Sequence, residues 1–244
     1  MVALPWKDIV ENQDLSVVHA STMSSLLRLK MMHNFHLDQN SIGVFAKAVH
    51  SLQNAGFANP LFFAETEIQL LRREASALPF RKTQTLVGKN VYQDFSICFP
   101  APLKNSFKLV AQMLEQACKT IAKERQGLFE SEVKINDFAV QSYPAHSRGI
   151  GIHKDGLRYR NLVFILTLDG QSELFVCSDR RGTERQLVPD KPGRLVIFPA
   201  PGLAYVEQED QRPFHGVDNV VGGRLSIGFR QERCQPNPAI KTLP

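Results

Sequence analysis

Residues 149–156 read Gly-Ile-Gly-Ile-His-Lys-Asp-Gly, and we interpret the rest of the chain around this stretch. Side chains two positions apart on a β-strand point to the same face. We therefore expect His153 and Asp155 to project from one side of a sheet. A second histidine from another strand would complete a set of two histidines and one carboxylate. Such a set occupies three adjacent coordination positions of iron(II) and leaves the remaining coordination positions open to other ligands.

The predicted second histidine is His215, which lies in the stretch Arg-Pro-Phe-His-Gly-Val at residues 212–217. Two alternatives stay open from the residues alone. His153 and Asp155 could instead be a pair that stabilises a turn, with His215 in a loop. His146, two residues after Pro144, is an alternative metal ligand.

Composition and charge narrow the class of protein. A chain of 244 residues fits one large domain, or one domain with an extension. The formal net charge of +5 permits a nucleic-acid partner or a small anionic substrate and proves neither. The four cysteines form no Cys-x-x-Cys pair, which argues against a zinc ribbon. We expect no membrane partner, since no apolar run reaches the roughly 18 residues needed to span a bilayer. We expect no secretory signal, because the N-terminus has no basic segment followed by an apolar core. The scattered cysteines fit reduced thiols in the cytoplasm.

The first half of the chain has the hydrophobic spacing of helices. We predict a helical N-terminal extension over residues 1–60 and an irregular tail over residues 235–244. Between them, residues 61–234 would form the main domain, whose core at residues 137–231 contains the candidate metal ligands and the last-strand arginines. The predicted helices cover residues 21–32, 42–52, 65–75 and 106–125.

Beyond residue 130 the pattern changes to short strands separated by turn residues. The predicted strands, together with an earlier one at residues 91–99, cover residues 138–143, 162–168, 173–177, 194–198 and 224–230. Close spacing of this kind is typical of a β-sandwich or barrel. The pattern fits a mainly β (α+β) fold with a double-stranded β-helix core, the jelly roll of cupins, and flanking N-terminal helices.

The last predicted strand places Arg224, Ser226, Gly228 and Arg230 on one face. If the opposite, apolar face packs under helices, both guanidinium groups project into the barrel. Buried guanidinium groups need anions, and they bind carboxylates in a bidentate manner. A dicarboxylate such as 2-oxoglutarate would supply one carboxylate for an arginine and chelate iron with its other end.

These motifs resemble those of the iron(II)/2-oxoglutarate-dependent oxygenase superfamily. Among its members, AlkB-like proteins have the most similar pattern, His-x-Asp, a distant His, and Arg-x-Asn-x-Thr-Phe-Arg on the last strand. The likeness covers about residues 137–231, with Arg-Leu-Ser-Ile-Gly-Phe-Arg at residues 224–230. Three residues depart from the AlkB pattern: Ser226 replaces Asn, Gly228 replaces Thr, and Gln141 replaces the Asn of an Asn-x-Tyr motif that here is Gln141-x-Tyr143.

The resemblance implies roles for individual residues. His153, Asp155 and His215 would bind Fe(II), and no catalytic residue beyond these ligands is implied. For 2-oxoglutarate, Arg224 would bind the distal carboxylate and Arg230 would lie near the C1 end. The cosubstrate would also contact Tyr143, Gln141 and Ser226. With O2 as the second cosubstrate, the activity would be hydroxylation of a C–H bond coupled to decarboxylation of 2-oxoglutarate to succinate.

Basic residues near the motif suggest the substrate. Arg148, Lys154, Arg158 and Arg160 would lie at the barrel mouth and favour a small anionic metabolite. One alternative is an AlkB-like oxidative demethylase or hydroxylase that acts on modified nucleic acid. These basic residues would then bind the phosphate groups of the nucleic acid. A second alternative is a cupin-like metal-binding module without catalysis, which would leave the two inward arginines without a role.

Overall fold

The computed structural model describes residues 35–88, 91–204, 206 and 212–233. The chain divides into two compact units, residues 1–36 and 37–244, and all helices and strands of the described residues lie in the second. The helix predicted for residues 21–32 and the tail predicted for residues 235–244 lie outside the described residues. None of the described helices is long and apolar enough to cross a membrane.

Three helices form where the hydrophobic spacing predicts them: α1 (Gln39–Ala55), α2 (Glu65–Ser76) and α3 (Asn105–Glu124). The Asp38 side chain caps α1 by accepting a hydrogen bond from the Ser41 N–H, at 2.7 Å. Gly56 ends this helix in the left-handed conformation, with φ at 70°. Leu78 and Pro79 follow α2 as the sequence indicates, because proline cannot continue a helix.

Two six-stranded sheets account for the strands of the described residues, and all of their pairings are antiparallel. The strands are β1 (Arg81–Lys82), β2 (Leu86–Val87), β3 (Val91–Asp94), β4 (Ser96–Cys98), β5 (Asp137–Tyr143), β6 (Gly149–His153), β7 (Tyr159–Gly170), β8 (Glu173–Cys177), β9 (Gln186–Val188), β10 (Leu195–Pro199), β11 (Phe214–Asp218) and β12 (Arg224–Glu232). The first sheet has the order β1-β4-β5-β12-β7-β10 and the second β2-β3-β6-β11-β8-β9.

The two sheets face each other across an apolar core, which forms the predicted double-stranded β-helix. Val163 and Phe198 of the first sheet pack in one cluster with Leu174 and Val217 of the second. The three helices cover the outer face of the first sheet. Phe107 of α3, for example, lies 4.9 Å from Phe138 of β5, measured between ring centroids. The outward, apolar face predicted for the last strand is confirmed at Phe229, which is fully buried.

The single strand predicted for residues 91–99 is wrong, because the chain changes sheets in the middle of it. β3 pairs with β6 in the second sheet, whereas β4 pairs with β5 in the first. Phe95, between them, is buried and its ring centroid lies 4.7 Å from that of Tyr143. An alternating sequence pattern indicates which residues lie on each face of a strand. It does not indicate that the chain bends at a buried side chain, so the change of sheet at Phe95 was not predicted.

Gly149 begins β6 in the left-handed conformation, with φ at 79°, and a Cβ there would overlap the carbonyl oxygen of Val217 on β11. We predict that Gly149→Ala lowers the free energy of unfolding by more than the roughly 1–2 kcal/mol that the backbone conformation alone costs a non-glycine residue. Gly222→Ala is the matched control, since no described atom lies within 4 Å of a Cβ there. Equal stability of the two variants in chemical denaturation would contradict the close approach of β6 and β11.

Candidate metal centre

The three predicted metal ligands come together at the end of two neighbouring strands. His153 is the last residue of β6 and pairs directly with His215 of β11. Asp155 lies in the loop just after β6, so the expectation that it shares the strand with His153 is wrong. The possible ligand atoms of the three side chains nevertheless lie within 4.8 Å of one another.

Hydrogen bonds prepare both histidines to bind a metal through Nε2. His153 Nδ1 lies 2.8 Å from the carbonyl oxygen of Gly151, and His215 Nδ1 lies 3.2 Å from that of Pro213. A carbonyl oxygen only accepts hydrogen bonds, so each Nδ1 carries the proton and each Nε2 presents a lone pair. Burial, with a further contribution from His215, lowers the pKa of His153 to about 4. This histidine is therefore neutral near pH 7, as a ligand must be.

Asp155 fits the carboxylate position of such a site. Its Oδ2 atom is buried and receives no hydrogen bond from the described residues, while lying 3.7 Å from His215 Nε2. A buried carboxylate oxygen without a donor costs free energy that a bound cation would offset. The backbone carbonyl of Asp155 accepts a hydrogen bond from Arg212, a contact that sequence reasoning missed and that holds this loop. Two imidazoles and one carboxylate suit iron(II).

His146, the alternative ligand, does not belong to the cluster. Its side chain is exposed, and its backbone has φ at 61° in the turn before β6. The structure therefore favours His153, Asp155 and His215 over His146 as metal ligands.

A narrow cavity, which we call the inner cavity, extends from the three ligands into the barrel. Its lining includes Gln141, Tyr143, His153, Asp155, His215, Arg224 and Arg230. Phe198 closes one side of the ligand cluster, with its ring stacked 4.6 Å from that of His215. The structure thus brings most of the residues predicted to bind 2-oxoglutarate to one space beside the metal ligands.

Both inward arginines already have a carboxylate from the protein, which the sequence argument did not foresee. Arg224 Nε and Nη2 each lie 3.0 Å from Asp190 Oδ2, and both side chains are almost fully buried. Arg230 Nε lies 2.6 Å from Asp137 Oδ1 across the β5–β12 pair. Each guanidinium group therefore has a protein carboxylate as an anion in addition to any that a dicarboxylate ligand would supply.

Of the other residues predicted to bind 2-oxoglutarate, Tyr143 and Gln141 line the inner cavity and Ser226 does not. Tyr143 donates a hydrogen bond from its hydroxyl to Gln141 Oε1, at 3.3 Å, and burial raises the pKa of Tyr143 to about 12. Its hydroxyl therefore stays protonated, and its single O–H would donate to a ligand only in place of the bond to Gln141. Ser226 does not line the inner cavity but accepts a hydrogen bond from Arg224 Nη1. It thus fixes the arginine and makes no direct contact with the cavity.

A more open space, the outer cleft, adjoins the metal ligands on the side of β2, β3 and β4. Its volume is about 310 Å³, and it shares Gln141, His153, Asp155 and Arg230 with the inner cavity. Apolar side chains form much of its wall, namely Val87, Val91, Phe95, Ile97, Phe99 and Ile150. The cleft is of a size that suits a small molecule beside the metal.

Of the four basic residues predicted to bind substrate, two line the outer cleft. Lys154 and Arg158 do so, and Arg158 also donates to the Tyr159 hydroxyl at 2.6 Å. Arg160 instead pairs with Glu130 at 3.0 Å, and Arg148 lies over the ring of Tyr92. Arg148 and Arg160 are not among the residues that line the cleft, because these contacts direct their side chains elsewhere.

Solved structures with the same architecture settle the fold. Pseudomonas putida prolyl-4-hydroxylase is 17% identical, covers 77% of this chain and 98% of its own, and has a TM-score of 0.54. A prolyl hydroxylase from Trichoplax adhaerens, in complex with a hypoxia-inducible-factor peptide, is 17% identical, covers 80% of this chain and 91% of its own, and scores 0.55.

HygX from Streptomyces hygroscopicus, solved with nickel and 2-oxoglutarate, is 11% identical, covers 82% of this chain and 88% of its own, and scores 0.52. The fold is that of the iron(II)/2-oxoglutarate oxygenases. At these identities the likeness shows the oxygenase fold alone, and it confirms the fold that the sequence motifs predict. Scans against protein-family models and curated proteins give no match.

Proposed function

We propose that the chain is an iron(II)/2-oxoglutarate-dependent oxygenase that hydroxylates a C–H bond of a small anionic metabolite. The observation that carries this proposal is the geometry of the ligand cluster. The possible ligand atoms of both histidines and Asp155 lie within 4.8 Å of one another, and the buried Asp155 Oδ2 receives no hydrogen bond within the described residues. A pair that merely stabilised a turn would satisfy that oxygen.

The residues around the cluster have roles that follow from their positions. His153, Asp155 and His215 would hold iron(II), which together with 2-oxoglutarate and O2 supplies the oxidising chemistry for hydroxylation, with succinate and CO2 as products. Arg224 and Tyr143 would bind the distal carboxylate, because both line the inner cavity. The Tyr143 hydroxyl would then donate to the carboxylate in place of Gln141. Arg230 lies where the inner cavity meets the outer cleft, so it would separate cosubstrate from substrate.

The outer cleft supports a small anionic substrate. Among the described residues, Lys154, Arg158 and Arg230 are its cationic lining side chains, with Arg230 already paired to a carboxylate, and Asp155 is the acidic one. Arg158 pairs with Glu232 at 3.1 Å, but both side chains are about half exposed. Exposed pairs of this kind contribute little, so a substrate anion can compete for Arg158. The apolar wall would contact the carbon skeleton that carries the reacting C–H bond.

The direct test is succinate release by the purified protein with iron(II), 2-oxoglutarate and air. The substrate panel contains small carboxylates and phosphates with apolar skeletons, a proline-containing peptide and methylated single-stranded DNA. We expect a small anion to stimulate succinate release the most, and omission of iron or O2 to abolish it. Stimulation by DNA alone or by peptide alone would transfer the substrate assignment to that class, and no succinate under any condition would favour the non-catalytic module.

Arg158 provides a specific test of the anionic substrate. We predict that Arg158→Gln raises KM for the stimulating anion by about two- to fivefold, the effect of one half-exposed ion pair, while kcat changes little. Arg148→Gln is the matched control, since that arginine lies outside the cleft lining. An equal effect of the two changes would mean that general surface charge, and not the cleft, attracts the substrate.

A further inference from the structure

Asp190 is an acidic residue that pairs with Arg224, the arginine expected to bind the distal carboxylate of the cosubstrate. It lies in the turn Pro-Asp-Lys-Pro at residues 189–192, between β9 and β10, and only 1% of its side chain is exposed. Its Oδ1 accepts a hydrogen bond from the Thr167 hydroxyl, and its Oδ2 receives Arg224 Nε and Nη2 at 3.0 Å each. The arginine is thus neutralised by the protein itself.

The contacts of Arg224 still leave donors for a ligand. A guanidinium group has five N–H bonds. Asp190 occupies one on Nε and one on Nη2, and Ser226 occupies one on Nη1. One N–H remains on each terminal nitrogen, so two donors are left for a ligand. Arg224 lines the inner cavity whereas Asp190 does not, so a ligand would approach the arginine from the side opposite Asp190.

A second carboxylate on the same arginine would experience attraction and repulsion together. The guanidinium carries one positive charge, and with Asp190 and a cosubstrate carboxylate the group would carry a net charge of −1. Water, which would screen that charge, has little access, because the side chains of Arg224 and Asp190 are 2% and 1% exposed. A cosubstrate with an uncharged end would meet no such repulsion.

We infer that Asp190 is a specificity-determining residue that neutralises Arg224 and thereby weakens the preference of the inner cavity for a dicarboxylate. The inference rests on the proposed function, because it concerns the site for 2-oxoglutarate. Asp190 provides the counter-charge of Arg224 before the cosubstrate binds. It also holds the guanidinium through Nε and Nη2.

The test compares two cosubstrate probes with the same number of carbon atoms, 2-oxoglutarate and 2-oxovalerate, which differ in the distal carboxylate. Binding of each to the iron(II)-loaded protein is measured without O2 by calorimetry, in the wild type and in Asp190→Asn. The asparagine keeps the shape and an acceptor for Arg224 but removes the negative charge. We expect the Kd for 2-oxoglutarate to fall by about tenfold, because one like charge is removed, and the Kd for 2-oxovalerate to stay the same.

The outcomes separate this inference from the proposed function. No binding of 2-oxoglutarate to the wild type would overturn the proposed function and this inference with it. Wild-type binding, with Asp190→Asn binding 2-oxoglutarate equally or more weakly, would overturn the inference alone. So would an equal gain for both probes, since the effect would then not concern the distal carboxylate.

Asp190→Asn leaves a buried arginine without its anion, so its folding is measured as well. We expect 2-oxoglutarate to raise the Tm of this variant more than that of the wild type, because the cosubstrate replaces the missing counter-charge. If the variant folds only when 2-oxoglutarate is present, the inference is supported. A variant that stays unfolded at saturating 2-oxoglutarate overturns it, as does a variant with the wild-type Tm shift.

Discussion

Asp155→Ala is expected to abolish iron(II)-dependent succinate formation and to lower iron affinity by more than about 100-fold. Loss of a residue that only supports a metal ligand costs roughly 10- to 100-fold, and Asp155 is proposed to be a ligand itself. The metal-free variant should be at least as stable as the metal-free wild type, since the change removes a buried oxygen that has no hydrogen-bond donor in the described residues. Iron titration and chemical denaturation measure the two effects.

Asp169→Ala is the control for this prediction. Asp169 is about half exposed and pairs with Arg72 at the surface, away from the ligand cluster. The Asp169→Ala variant should bind iron with the affinity of the wild type. A variant Asp155→Ala that is destabilised but still binds iron would show that Asp155 stabilises the loop and does not bind metal.

Arg224→Met is expected to have two large effects with separate causes. The Kd for 2-oxoglutarate should rise by at least about 100-fold, because the two remaining guanidinium donors are lost. The free energy of unfolding should fall by about 3–5 kcal/mol, because Asp190 is left buried without its partner. Cosubstrate titration and urea denaturation distinguish the two.

The double variant Arg224→Met with Asp190→Asn separates the structural effect from the binding effect. It contains no unpaired buried charge, so we expect most of the lost stability to return while the affinity for 2-oxoglutarate stays low. Wild-type affinity in a stable double variant would exclude Arg224 from cosubstrate binding. It would also mean that the arginine on β12 serves the fold alone.

The sequence predicts well what is encoded by local patterns. Helices α1, α2 and α3 follow from hydrophobic spacing. Alternation and turn residues predict five of the strands, namely β5, β7, β8, β10 and β12. His153, Asp155 and His215 are predicted because their residue types and order are those of an iron site. The loop position of Asp155 was missed, because strand periodicity does not show where a strand ends.

The partners of the arginines could not be predicted from local patterns. Asp137 faces Arg230 only through the register of β5 on β12, and nothing in the sequence fixes that register. Asp190 reaches Arg224 from a turn between two other strands. Arg160 carries the same charge as Arg158, yet its pairing with Glu130 directs it away from the cleft. Each of these contacts joins residues that are distant in the chain.

The most direct measurement is a titration of the metal-free protein, without O2, first with iron(II) and then with 2-oxoglutarate. The visible metal-to-ligand charge-transfer band of iron(II) with bound 2-oxoglutarate is monitored. We predict a band in the wild type, its loss in His153→Ala, and a much higher 2-oxoglutarate requirement in Arg224→Met. A folded wild-type protein that gives no band would contradict the proposal that His153, Asp155 and His215 form an iron centre that binds 2-oxoglutarate.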